Sequence, residues 1–317
     1  MIWKKIGKIF DPTENKLPLG CFAYAQSPQT LVFDDYIRIY FSTRNIDSEG
    51  KFISQIAFVD VDKSFTRILR ISDSEVIALG ERGAFDEHGI FPLHIFKENK
   101  NIYGYICGLS RRMSVTVESS IGLSESKNNG ETFSRISNGP VLTSSLNEPF
   151  LVCDPFVMKV DDNYHMWYIY GLRWIRESPE KNPDRVYKIA HAVSKDQIHW
   201  TKEGRTIVPD TIDVNECQAL PTVIKIGNRY HMIFCFRHAF GFRDDASKGY
   251  RLGYAWSDDL INWTRNDEEK GIDVSVDSWD SDMQCYPHLF EMDGKIYLLY
   301  NGNEFGKFGF GLAVLEQ

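Results

Sequence analysis

The sequence predicts an all-β fold, a five-bladed β-propeller whose last blade is closed by the N-terminal strand. Three observations predict it. A proline recurs at Pro28, Pro92, Pro155, Pro221 and Pro287, with separations of 64, 63, 66 and 66 residues. Each proline leads a strand–turn–strand unit rich in aromatic and β-branched residues, the types that fit a pleated sheet. The fifth unit runs out at Gln317, one strand short of the others.

The repeated elements follow in order. After each proline comes a strand-like run: QTLVF, LHIF, FVMKV, TVIKI and HLFEM. A turn follows, such as Asp34-Asp35, Asp161-Asp162-Asn163, Gly227-Asn228 or Asp293-Gly294. Asx and Gly tolerate the backbone angles that tight hairpins require. A second strand reads YIRIYFS, IYGYICG, YHMWYIYG, YHMIFCF and IYLLYNG, and a third QIAFVDV, SSIGLSES, KIAHAVS, RLGYAWS and GFGLAVL. A fourth begins around Phe65, Phe133, Trp200 and Trp263. In the fifth unit Ile2-Trp3-Lys4 mimics Ile261-Asn262-Trp263-Thr264 and supplies the missing strand, which removes an exposed sheet edge. No Pro/Gly/Ser-rich linker interrupts the chain, so residues 1–317 are expected to form a single propeller domain.

Composition narrows the partners. The formal charge is −8, which disfavours nucleic acid and acidic membranes, since phosphate backbones reward clustered positive charge. No run of about 18 apolar residues is present to span a membrane. The N-terminus MIWKKIGKIFDP lacks an apolar signal region, and a cytoplasmic protein is expected. The cysteines Cys21, Cys107, Cys153, Cys217, Cys235 and Cys285 lack zinc-like spacing and are expected to be mostly reduced, buried small residues. The histidines form no paired-ligand motif, so no metal site and no required cofactor are expected.

Propeller geometry brings residues just before each proline to the axis. Four carboxylates become catalytic candidates: Glu87, Asp154, Glu216 and Asp282. Crowded carboxylates raise one another's pKa, which would keep one protonated as a general acid. Glu87 and Asp282 equally suit loop capping. His88, beside Glu87, suits either a sugar contact or loop packing. The end of the second strand carries Arg44, Arg111 with Arg112, Arg173 and Arg237 in the first four blades, with Asn303 in the fifth. Arginine grips carboxylate and phosphate in bidentate fashion, so these predict an anionic ligand. Arg176, Arg185 and Arg243 extend the patch or are solvated. Of the loop aromatics Phe240, Phe242, Tyr286, Phe305, Trp174 and Trp279, the two tryptophans flank loops and best suit stacking on a sugar ring.

On three features the chain resembles the five-bladed glycoside hydrolase superfamily that includes families 43, 32, 62, 68 and 130. Cys153-Asp154-Pro155 starts blade 3, Asn215-Glu216-Cys217 starts blade 4, and Ser-x-Asp-x-x-x-Trp recurs at Ser194–Trp200 and Ser257–Trp263. The resemblance implies a carbohydrate-active enzyme in which Glu216 is the general acid and Asp154 orients the sugar. It also admits an axial calcium. One position departs from families 43 and 32, which start blade 1 with a catalytic Asp: here it is Ser27. Ordinary glycoside hydrolysis uses two carboxyl groups; the second would be Glu87 or Asp282. Three readings remain open: hydrolysis of an anionic glycan or sugar phosphate, phosphorolysis as in family 130, which needs no base carboxylate, and a non-catalytic module binding sugars or nucleotide sugars.

Overall fold

In a computed structural model, which describes residues 1–316, the chain forms five four-stranded antiparallel sheets arranged as propeller blades. Blade 1 comprises Ala23–Val32, Tyr36–Ile46, Phe52–Asp62 and Ile68–Ile71. Blade 2 comprises Ile90–Glu98, Asn101–Arg111, Val117–Ser126 and Ser134–Arg135. Blade 3 comprises Val152–Val160, Asn163–Ile175, Asp184–Ser194 and Trp200–Lys202, and blade 4 Cys217–Ile226, Arg229–Arg237, Arg251–Ser257 and Thr264–Arg265. Blade 5 is Cys285–Met292, Lys295–Asn301 and Phe310–Leu315, completed by Trp3–Phe10, which pairs with Phe310–Leu315 from Trp3↔Leu315 to Phe10↔Phe310. This strand order closes the ring as the repeat predicts. The core between blades is aromatic, with Trp167, Tyr40, Tyr105, Tyr168 and Tyr300 fully buried. Among the described residues no helix is long and apolar enough to cross a membrane.

The phased prolines sit inside the innermost strands rather than ahead of them. Each lies at a break in strand register: Gln26/Gln29, Ile90/Leu93, Cys153/Phe156, Ala219/Thr222 and Cys285/His288. A bulge leaves one residue without a ladder bond, and proline has no N–H to offer one. The residue before the proline has a left-handed φ in four blades: Ser27 54°, Asp154 55°, Leu220 46° and Tyr286 56°. Such a backbone is costly for a residue with a side chain, by about 1–3 kcal/mol. Here it turns a strand position at the axis away from the regular alternation.

Two further features are structural. In the repeated Ser-x-Asp-x-x-x-Trp, Asp196 Oδ1 accepts from the N–H groups of Ile198 and His199, and Trp200 Nε1 donates to the Gln197 carbonyl. Asp259 and Trp263 repeat these bonds in blade 4. The motif is therefore a self-capped turn. The cysteine expectation needs correction at one pair: Cys107 and Cys153 form a disulfide between blades 2 and 3, with Cα atoms 5.3 Å apart. Their 46-residue separation hides a contact that exists only once blades stack. The other four cysteines are free and buried.

Candidate active site

A cavity of about 1120 Å³ opens on the face where the innermost strands begin. Of the residues singled out in the sequence, it brings together Asp154, Arg44, Arg237 and Tyr286, with Arg185, Arg243, Phe240, Phe242 and Phe305. The segments between the second and third strands of blades 3 and 4 wall it, the blade 4 segment contributing Phe242, and Arg185 joins them from the start of the third strand of blade 3.

Asp154 is the one carboxyl on the cavity wall that is buried; Glu177, Glu180, Asp184, Asp244 and Glu304 line it from more exposed positions. The bulge before Pro155 places it there. Burial pushes its pKa up to about 7, against the pull of the Leu220 N–H and the Arg185 charge. That N–H donates to Oδ2 over 3.1 Å. Near neutral pH this carboxyl is poised to hold or release a proton.

Around it stand cations without anions. Arg237 is 4% exposed; its hydrogen bonds go to the His238 and Ala239 carbonyls, and Nε has none. The guanidinium lies 3.5 Å from the Phe242 ring centre. Arg44 also has an unbonded Nε and lies 4.4 Å from the centre of the Tyr24 ring. Burial holds its pKa below the usual arginine value, and the Arg243 charge adds to that. No arginine–carboxylate pair among the described residues involves Arg44, Arg185 or Arg237. A buried cation without a partner is costly, and an anion entering this cavity would remove that cost.

The other sequence candidates lie elsewhere, each for a visible reason. Glu216 is fully buried and does not line the cavity. Its Oε1 pairs with Arg265 at 2.5 Å, and Oε2 accepts from the Thr211 and Ile212 N–H groups. Burial pushes its pKa up, but Arg265, Gln218 and Thr211 outweigh burial and hold it below the usual value. Both oxygens of this carboxyl are thus engaged inside the blade. The same clasp recurs, always between a fully buried acid ahead of the innermost strand and a cation on the outermost strand. The pairs are Asp86 with Arg135, Glu148 with Lys202 at 2.6 Å, and Asp280 with Lys5 at 2.6 Å. In blade 5 that cation comes from the closing N-terminal strand, so the clasp also locks the ring.

Glu87 and Asp282 stand one and two residues from the clasp acids Asp86 and Asp280. Glu87 accepts from the Gly83 N–H, capping its own loop. Asp282 is exposed; its carboxylate meets Ser281 and its N–H meets Asn303. His88 contacts the Arg111 N–H at 3.4 Å. Arg111 pairs with Asp47 at 2.6 Å, and Arg173, exposed, donates to the Val214 carbonyl. Neither arginine lines the cavity. Trp174 packs against the main core. Trp279 stacks on Tyr300 at 5.1 Å, and a Cβ at Gly302 or Gly311 would fall within 2.3 Å of it. It is a wedge in blade 5.

Tyr24, Gln26, Tyr187 and Tyr250 also line the cavity and carry no signal in the proline repeat. Tyr187 and Tyr250 share a 2.5 Å hydroxyl–hydroxyl bond. They occupy equivalent positions at the third strands of blades 3 and 4, so aligning those strands rather than the prolines would find them. Calcium takes six to eight oxygens; among the described residues no group of three or more His, Cys, Asp or Glu is placed to hold a metal, and burial disfavours the charged form of Asp154.

No family model matches the chain. It is 34% identical over 323 residues to the uncharacterized protein MT1551 of Mycobacterium tuberculosis, covering all of both chains. It is 29% identical over 137 residues to a β-1,2-mannobiose phosphorylase of Thermoanaerobacter sp., covering 41% of this chain and 43% of that one. Among solved structures, a glycoside hydrolase superposes with a TM-score of 0.75 at 16% identity, covering 99% of this chain and 93% of that one. A thermostable family-43 glycoside hydrolase superposes with a TM-score of 0.64 at 13% identity, covering 95% and 90%. At these identities the structures establish a shared fold.

Proposed function

The chain belongs to the family of M. tuberculosis MT1551 and has the glycoside hydrolase-like propeller fold, and from that premise we propose that it is a carbohydrate-active enzyme that cleaves a glycosidic bond with phosphate rather than water. The observation that carries this is the composition of the cavity: one buried carboxyl near neutrality and arginines without carboxylate partners. Hydrolysis by two carboxyl groups requires a second one within about 5–10 Å of the first; Glu216, Asp86 and Asp280 are spent on clasps, and the other carboxyls of the cavity wall, Glu177, Glu180, Asp184, Asp244 and Glu304, stand at more exposed positions. Phosphorolysis requires one acid and an anion site. The partial similarity to a mannobiose phosphorylase supports the same reading.

In this mechanism Asp154 gives its proton to the glycosidic oxygen as the bond from C1 breaks. Phosphate, held by Arg237, forms the new C1–O bond, and its own proton returns to Asp154. The products are a sugar phosphate and a shortened sugar. Phosphate held in place beside C1 is a far better placed nucleophile than a passing water molecule.

The test is incubation with a panel of disaccharides, with and without inorganic phosphate. We expect product only with phosphate, and none from Asp154→Asn. Equal cleavage without phosphate would return the reading to hydrolysis. Phosphate binding without turnover of any sugar would favour the binding module.

A further inference from the structure

Beside Arg44 the cavity wall changes character. Strand register pairs Arg44 with Ser54 and Ile46 with Phe52, and paired residues two apart share one face of a sheet. Arg44, Ser54 and Phe52 line the cavity, and Ile46 continues the row outward. Phe22 adds to this row, its ring 6.4 Å from that of Phe52. Phe22 and Phe52 are each 49% exposed and Ile46 54%. Three large apolar side chains thus form a contiguous shelf running from the cavity to solvent. Its position is fixed from blade 2, where Arg111 pairs with Asp47 and donates to the Phe52 carbonyl. The guanidinium of Arg44, with no carboxylate partner, lies 5.3 Å from the centre of the Phe52 ring.

A cation lacking its anion therefore sits at the inner end of an apolar shelf lacking its cover. We infer that this edge of the cavity binds an amphiphilic phosphoester, its phosphoryl group on Arg44 and its hydrocarbon portion on Phe52, Phe22 and Ile46. The inference rests on the reading of the cavity as an anion site and adds to it a second anionic group, on Arg44, beside the phosphate on Arg237. Charge complementarity selects the head, and the half-exposed apolar row selects the tail. A free sugar phosphate would leave the shelf uncovered; a neutral alkyl glycoside would leave Arg44 unpaired.

Calorimetric titration with methyl phosphate, octyl phosphate below its micelle concentration, and neutral octyl glucoside tests it. Octyl phosphate should bind at least about tenfold more tightly than methyl phosphate, since burying even part of the chain stabilises by a fraction of a kilocalorie per methylene. Phe22→Ser and Ile46→Ser, both at exposed positions that the fold tolerates, should each reduce that gain while methyl phosphate affinity holds. Arg44→Gln should weaken both phosphates. Equal affinity for the two phosphates, a gain that survives both serine substitutions, or octyl glucoside binding as well as octyl phosphate would overturn the inference while the anion site stands. If neither phosphate binds, both fall.

Discussion

Two sets of buried charges divide this molecule. In the blade clasps Asp86, Glu148, Glu216 and Asp280 are fully buried and each meets a cation from the outermost strand of its own blade. At the axial cavity Asp154 meets only a backbone N–H, and Arg237 and Arg44 meet carbonyls and aromatic rings. The two sets lie in one fold under similar burial, so burial alone distinguishes neither. Partnership does. A charge paired within the blade has its desolvation offset inside the fold, and its work is structural. A charge left without a counterion keeps that cost until something from outside relieves it, and this is the expected mark of a site.

Substitutions can break this division, starting with the largest effect. Asp154→Asn should lower turnover by about 10²–10⁴-fold, the usual worth of a general acid, without loss of fold. A fall in stability with unchanged turnover would place Asp154 among the structural acids. Arg265→Met should cost about 3–5 kcal/mol of stability in urea denaturation, because it strands the Glu216 carboxylate. Arg237→Met, which strands no anion, should leave the fold intact and abolish phosphate binding. A Glu216→Gln variant that loses turnover while keeping wild-type stability would reverse the roles given to the two acids.

The pH dependence sharpens the same contrast. Asp154 keeps its proton in the folded chain to about pH 7, whereas an unfolded Asp releases it near about 3.9. The folded state binds more protons in that window, so this group's contribution to stability falls as pH rises from about 4 to about 7. Comparison of wild type with Asp154→Asn should show the variant gaining relative stability across that window, with no further gain above it. The smallest effect belongs to Arg111→Ala: its pair with Asp47 lies at the surface, where such pairs contribute little, so stability in urea denaturation should hardly change and phosphate binding should be unchanged.

The fold was legible because a propeller repeats in sequence what it repeats in space. Five prolines mark five bulges, and Trp3 completes the last blade. The site was legible only in part, since counting back from each proline assumes loops of one length. The clasp acids lie six, seven, five and seven residues before Pro92, Pro155, Pro221 and Pro287, so a fixed count reached Glu216 but missed Asp86 and Asp280 for Glu87 and Asp282. Asp154 was found because the bulge itself positions it. The arginine pattern identified the end of the second strand correctly, but whether Arg111 meets Asp47 and Arg237 meets no carboxylate is decided by neighbours distant in the chain. The Cys107–Cys153 bond was hidden for the same reason.

The central claim is that the unpaired cavity arginines constitute an anion site. Calorimetric titration of the full chain with inorganic phosphate, beside Arg237→Met and the clasp variant Glu148→Gln, tests it most directly. One phosphate site is expected in the wild type, retained in Glu148→Gln and lost in Arg237→Met. Phosphate binding that is absent from the wild type, or unaffected by Arg237→Met, would contradict it.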